Sequence, residues 1–407
     1  MKIPLHDIDF LKRIPKSDLH VHLDGSLRIH TLIALARSSG VCLPSYEDTG
    51  LCELVYKESY NNLEEYLHGF SYACAVLRDP EAIQQVAYEL AVDSQADGVR
   101  YLEVRFAPQL LMHENLSFEA VMNACWRGLD RAAREFNRRP PVAGGREPAF
   151  HYGMIVSVMR YFSKAFSPYY DHLFRGLPYS SAKHIHALAA MELVKAAVRM
   201  RSNCAIPIVA CDLAGKESGF PAHRYTPAFQ YAHSHFLRKT VHAGEAWGPD
   251  SIFQAITDLH ADRIGHGFYL YDASRLHEPQ SPTSRQQFVS DLAEYIAGNR
   301  ITMEVCPTSN LQTIPELQGD IQRHPLKRML AEKLSVSICT DNRLVSHTTV
   351  SQELQKVIQA FDIPVEHLKN IVAYGFKRSF FPGTYKANRA YVRQVLTYFE
   401  EIVKELT

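Results

Sequence analysis

The sequence predicts an α/β fold, a closed (β/α)8 barrel of the TIM type. Three observations carry that expectation. Eight short runs rich in Val, Ile, Tyr and Phe recur along the 407 residues, amphipathic helical stretches separate them, and no low-complexity linker or internal repeat divides the chain. Alternating β and α elements imply a parallel sheet with right-handed crossovers. An open doubly wound sheet is disfavoured because no early run is followed by a G-x-G-x-x-G turn. At about 150 residues per domain the length alone suggests two or three domains, but barrels with insertions reach this size as one. Residues 1–407 are therefore read as a single domain.

In chain order, the first run is SDLHVHL (17–23). Residues about 44–78 break the β/α repeat: VYKESYNNLEEYLHGFSYACAVL has helical spacing and reads as a helical insertion after the first strand, near the barrel mouth. VRYLEVRFA (99–107) is the second run, preceded by the helical EAIQQVAYELAVDSQ. RRPPVAGGREP (138–148) reads as a loop on its Pro and Gly content. The third to eighth runs are YGMIVSVM (152–159), IPIVACDL (206–213), RKTVHAG (238–244), DRIGHG (262–267), ITMEVCP (301–307) and LSVSICTD (334–341), with SAKHIHALAAMELVKAAVR as the plainest intervening helix. After Asp362 the pattern is again helical, which predicts extra C-terminal helices packed on the barrel exterior.

Charge excludes several classes of function. Lys and Arg total 44, Asp and Glu total 44, and 46% of residues are hydrophobic, so the chain is neither disordered nor held to nucleic acid or an anionic membrane by a basic surplus. The N-terminal MKIPLHDIDFLKRIPKSD has no apolar core of a secretory signal, and no window approaches the 18 apolar residues of a spanning helix. The eight cysteines are scattered without a C-x-x-C pair and read as reduced thiols in a cytoplasmic protein.

The chemistry begins with His20-Val-His22. On a strand, residues two apart share a face, so both imidazoles point the same way, a chelating arrangement. His184-Ile-His186 and His233-Ser-His235 have the same spacing but fall in helical segments, where two residues span roughly 200° and the rings diverge. Four more polar residues close later runs, where a barrel places its active site: His242 and Glu245 in VHAGE, His266 in RIGHG and Asp341 in SICTDN. Each alone has a structural explanation, such as an acid in a helix first turn or an N-cap. Three histidines and a carboxylate at one mouth make a mixed N/O site for a borderline divalent metal, Zn²⁺ first, and leave Glu245 and His266 for proton handling.

The motifs SDLHVHLDGS, CDLAGKE, VHAGE, DRIGHG, EVCPTSN and CTDN, in this order, resemble those of the adenosine deaminases of the amidohydrolase superfamily, from about Pro15 to about Phe361. The resemblance implies a (β/α)8 barrel with one Zn²⁺ per chain, which replaces the 6-amino group of adenosine or 2′-deoxyadenosine by an oxo group with water as co-substrate and ammonia as product. By that resemblance His20, His22, His242 and Asp341 hold the zinc. His266 accepts or orients the proton of the attacking water, with Asp341 beside it, and Glu245 protonates N1, which requires a raised pKa in a dry pocket. Gly215 presents its N–H to N3, and Asp24 meets the ribose end.

Two positions depart from the family pattern. Asn342 stands where a second aspartate usually follows Asp341. An asparagine amide donates to N7 without needing protonation, so N7 recognition is expected to survive. Lys216 follows Gly215 where an acid is usual and reads as a solvated loop lysine. Cys306 and Cys339 flank the site but read as small core residues. The tyrosines of 56–72 either line the pocket or pack the insertion, and Ser309 and Asn310 either cap a helix or brace the site. The alternatives are deamination of a 5′-modified adenine nucleoside such as aminofutalosine, and, more remotely, another metal-dependent amidohydrolase or a non-catalytic relative. The cytidine-type zinc deaminases are excluded, since their H-x-E and P-C-x-x-C motifs are missing.

Overall fold

The computed structural model describes residues 4–277 and 281–404. Eight parallel strands follow one another in sequence order: β1 (Lys16–His22), β2 (Val99–Phe106), β3 (His151–Met159), β4 (Ile208–Ala214), β5 (Arg238–Ala243), β6 (Arg263–His266), β7 (Thr302–Val305) and β8 (Val336–Ile338). The last strand returns to the first through a parallel bridge between Val21 and Asp341. There Asp341 N–H donates to His20 O at 2.8 Å and His22 N–H donates to Asp341 O at 2.8 Å. This nearly closed (β/α)8 barrel is the fold the sequence predicts. Every residue of β1 and β2 is buried, as expected of strands covered on both sides.

The expected runs overshoot the strands at β6, β7 and β8. His266, the last residue of β6, and Asp341, three residues beyond β8, have φ of 62° and 61°, in the left-handed region rather than the extended one. The chain turns at each of these side chains and aims it into the mouth rather than continuing the ladder.

Between β1 and β2 the predicted insertion contains helices Asp48–Leu54, Leu63–His68 and Phe70–Val76. Asn62 caps the second of them, accepting from the Glu65 amide at 2.9 Å. The segment 138–148, expected as a loop, contains a helical turn, Pro140–Ala143. A proline at the first helical position has no N–H to satisfy and a pre-set φ, so here proline starts a helix instead of breaking one. The tail forms helices Val365–Lys377 and Tyr385–Lys404. The former packs on β1 and β8, and a Cβ on its Gly375 would lie 2.0 Å from Ser17 Oγ, so glycine permits that approach. Among the described residues no helix is long and apolar enough to cross a membrane.

The barrel interior carries a layer of charge. Glu304 on β7 accepts from Arg105 Nη2 at 2.8 Å, Arg263 Nε at 2.6 Å and Thr240 Oγ1 at 2.9 Å. Arg263 also pairs with Glu103. Burial pushes the Glu304 carboxyl up, but Arg105 and Arg263 outweigh it and hold it well below the usual range.

Candidate metal and catalytic site

Above this layer, at the carboxyl ends of the strands, β1 and β5 deliver three imidazoles and the end of β8 one carboxylate. His20 Nε2 lies 3.3 Å from Asp341 Oδ1, His22 Nε2 lies 3.5 Å from the same oxygen, and His22 Nε2 is 3.3 Å from His242 Nε2. Four donors about 2.1 Å from one ion in a tetrahedron would be about 3.4 Å apart, so these spacings suit a zinc-sized cation. His20, His242, His266 and Asp341 also offer donor atoms all within 4.8 Å of one another.

The protein orients the rings from below. His20 Nδ1 donates to Glu304 Oε2 at 2.9 Å and His242 Nδ1 to Asp212 Oδ1 at 3.0 Å. Burial alone would raise the Asp212 carboxyl, but His242 and Arg105 hold it well below the usual range. With the Nδ1 protons given to ionised carboxylates, both Nε2 lone pairs face the cluster. His20 Nε2 is buried without a hydrogen-bond partner among the described residues, and a cation would satisfy it. The donor set and its support fit a divalent metal.

His266 differs in its tautomer. The Leu326 amide donates to His324 Nδ1 at 3.0 Å, so His324 Nε2 carries a proton and donates it to Asn310 Oδ1 at 3.1 Å. That fixes the Asn310 amide, whose Nδ2 donates to His266 Nδ1 at 3.2 Å. His266 Nε2 therefore bears the hydrogen and points into the pocket, 3.6 Å from Glu245 Oε1. Burial holds this imidazole well below its ordinary pKa, and neutral.

Glu245 follows β5 on a tight turn. Burial pushes its pKa up to about 8, with His242 opposing and Asp341 and Glu217 reinforcing the shift. The turn is held by Glu217, 1% exposed, whose carboxylate accepts from the amides of Gly244 at 2.7 Å, Glu245 at 3.0 Å, Ala246 at 2.6 Å and Trp247 at 3.0 Å, and from Ser251 Oγ. Arg160 Nη2 donates to His242 O at 2.6 Å on the same segment.

His22, His242, Glu245, His266 and Asp341 line a cavity of about 690 Å³ that is also lined by Asp24, Gly215, Lys216 and Asn342, with His20 beneath it beside His242 and Asp341. Every site residue expected from the sequence thus lies in one place. Asp24 sits 4.0 Å from His22 Nδ1, and burial drives its carboxyl to about 7. Gly215 has φ 86°, which favours glycine. Asn342 Nδ2 donates to Tyr66 OH at 2.8 Å, and Tyr66 OH meets Ser346 Oγ at 3.2 Å. A Cβ on Gly25 would lie 1.9 Å from Asn342 Oδ1, so that glycine makes room for the amide.

Three sequence expectations are resolved or corrected. Lys216, read as a solvated loop lysine, is half-buried on the cavity wall, two residues past the end of β4. Of the insertion tyrosines Tyr66 lines the cavity, whereas Tyr56 and Tyr60 are buried in packing. Ser309 and Asn310 brace the site: Ser309 Oγ donates to Asp341 Oδ2 at 2.6 Å, and their helix Pro307–Thr313 has no side-chain cap. The paired histidines 184/186 and 233/235 stand apart, with His186 bonded to Phe162 O at 2.9 Å. Cys306 and Cys339 are buried core thiols. Glu217, Asp212, Arg105, Glu304 and His324 received no role from the sequence, although three of them stand inside the quoted motifs CDLAGKE and EVCPTSN.

A (β/α)8 barrel with such a donor cluster and a protonated acid at its mouth defines a hydrolase of the amidohydrolase type. Residues 15–165 and 177–394 match the adenosine deaminase family. The chain is 32% identical to the adenosine deaminase of Mycobacterium marinum, over 92% of both sequences. It is 33% identical to adenosine deaminase 1 of Streptomyces coelicolor, over 92% of this chain and 84% of that one. Its fold resembles that of a zinc-bound amidohydrolase from Burkholderia ambifaria, with TM-score 0.76 and 20% identity over 100% and 96% of the two chains. The chain belongs to the adenosine deaminase family, whose members are hydrolytic deaminases acting on C–N bonds.

Proposed function

We propose that this chain, acting as one catalytic domain in the cytoplasm, hydrolyses the 6-amino group of adenosine and 2′-deoxyadenosine to give inosine or 2′-deoxyinosine and ammonia. One Zn²⁺ would be held by His20, His22, His242 and Asp341. His266 is set aside as a ligand because its Nε2 carries a hydrogen rather than a lone pair toward the cluster. When bound, zinc supplies a Lewis acid that lowers the pKa of a water at neutral pH.

The chain's own residues supply the rest. Neutral Glu245 gives its proton to N1, so that the ring gains no negative charge as C6 becomes tetrahedral. His266 Nε2–H donates to the incoming oxygen and holds its lone pair toward C6. Asp341 is the ionised carboxylate available to take the water's proton, because burial, which opposes ionisation, is outweighed by the neighbouring imidazoles. The Gly215 amide meets N3, the Asn342 amide N7, and Asp24 the ribose.

The observation that carries this reading is the Glu245–His266 pair: an acid kept protonated near neutral pH, 3.6 Å from a fixed N–H, beside a metal-type donor cluster. The test mixes zinc-loaded protein with adenosine and 2′-deoxyadenosine and follows ultraviolet absorbance together with ammonia release. Conversion of either supports the reading; no deamination of any adenine nucleoside rejects it.

A further inference from the structure

One wall of the catalytic cavity contains a cation that the proposed chemistry does not use. Arg78 lines the cavity just beyond helix Phe70–Val76, half-buried. Its Nε donates to Cys74 O at 3.0 Å, and among the described residues no carboxylate lies within ion-pair distance of its guanidinium. Among the described residues its terminal nitrogens have no acceptor. The four buried arginines have partners: Arg105 pairs with Glu304, Arg263 with Glu103 and Glu304, Arg100 with Glu147, and Arg160 donates to two backbone carbonyls; half-buried Arg378 has no carboxylate partner among the described residues but lies outside this cavity. Leaving a partly desolvated guanidinium unpaired is costly, and an anionic ligand would relieve that cost.

Arg78 is held in place for this. The Asn115 amide donates to His113 Nδ1 at 3.3 Å, which leaves His113 Nε2 as the donor to Arg78 O at 2.9 Å. The position is also informative. Cys74, whose carbonyl accepts from Arg78, has its buried thiol near the Asp24 carboxyl, so Arg78 lies on the same side of the cavity as the residue proposed to meet the ribose. Lys216 adds a second cation to the lining.

Resting on the deaminase reading above, we infer that the cavity has an anion-receiving end at Arg78, and that its preferred substrates are adenine nucleosides bearing a phosphate or carboxylate on the 5′ side. A planar fork of donors suits either oxyanion.

The test compares kcat/KM for adenosine, adenosine 5′-monophosphate and adenosine-5′-carboxylate in the native protein, Arg78→Gln and Arg78→Lys, all zinc-loaded. The native protein should favour one or both anionic substrates, and the preferred anion tells phosphate from carboxylate. In Arg78→Gln the ratio of anionic to neutral kcat/KM should fall at least about tenfold, with Arg78→Lys recovering part of it. An unchanged ratio, or a native protein that favours neutral adenosine over both anions, overturns the inference. Rising salt should erode the native preference, a readout that needs no variant to fold. Calorimetric binding of inosine and inosine 5′-monophosphate separates the two readings. If nothing is deaminated but the phosphate still binds more tightly through Arg78, the reaction is wrong and the anion site stands; if adenosine is deaminated and the phosphate gains nothing, the anion site is wrong.

Discussion

The proposed acid role of Glu245 requires that it keep its proton, and its surroundings decide the pH range in which it does. Burial raises its pKa to about 8, so the protonated form predominates below that pH and is lost above it. The rate should therefore fall as pH rises through about 8, measured as kcat/KM against pH. Glu245→Gln keeps the shape of the side chain but has no acidic proton to transfer. It should lower kcat by about 10² to 10⁴ and leave the zinc content, measured by metal analysis, unchanged; retained turnover would remove Glu245 from the acid role. Glu217→Gln turns one acceptor toward the Gly244–Trp247 amides into a donor, which loosens the turn and removes a charge that raises the Glu245 pKa. We expect kcat to fall more than KM rises, and the alkaline limb of the pH profile to move to lower pH, which a general loss of stability would not do. At this scale the sequence displayed the residues that gather at the barrel mouth, because they stand at or near the ends of the apolar runs. It did not display the groups that orient them. Glu304 orients His20 from 284 positions away, and a spacing rule has no access to such a pair.

Elements were legible where covalent sequence and burial agree. Strands covered on both faces read as continuous apolar runs, and so all eight stood out. Their ends were less legible, since backbone conformation at His266 and Asp341 follows from where those side chains must point and not from local propensity. The turn at Pro140–Ala143 was missed because proline marks both loops and helix starts. The contact between helix Val365–Lys377 and β1 was likewise invisible, since Gly375 looks like an indifferent helix position until Ser17 is placed against it. Gly375→Ala should cost about 1–3 kcal/mol in chemical denaturation, although alanine is the better helix former. Ser17→Ala in the same chain should recover part of that loss; additive effects would show that the two positions do not touch.

Across the whole molecule, the barrel interior links stability to the site. Such barrels are commonly filled by branched apolar side chains, yet here Glu103, Arg105, Asp212, Arg263 and Glu304 are all buried and mutually paired. Buried ion pairs contribute little net stability over apolar packing, so their value lies in what they hold, the Nδ1 sides of His20 and His242. Two substitutions separate holding the fold from holding the site. Glu304→Ala takes one of two carboxylate partners from each of the buried Arg105 and Arg263 and frees His20, so it should cost about 3–5 kcal/mol and weaken zinc binding by about 10- to 100-fold. Glu103→Ala likewise takes one of the two carboxylate partners of Arg263, and it removes the acceptor of the Phe380 amide, but Glu103 touches no imidazole of the cluster. It should lose comparable stability in denaturant while keeping zinc affinity, measured by competition with a chelator, near the native value. Equal losses of zinc affinity in the two variants would show that the charged layer acts only through global stability. Unequal losses would mean that the polar core is retained to aim the two ring nitrogens.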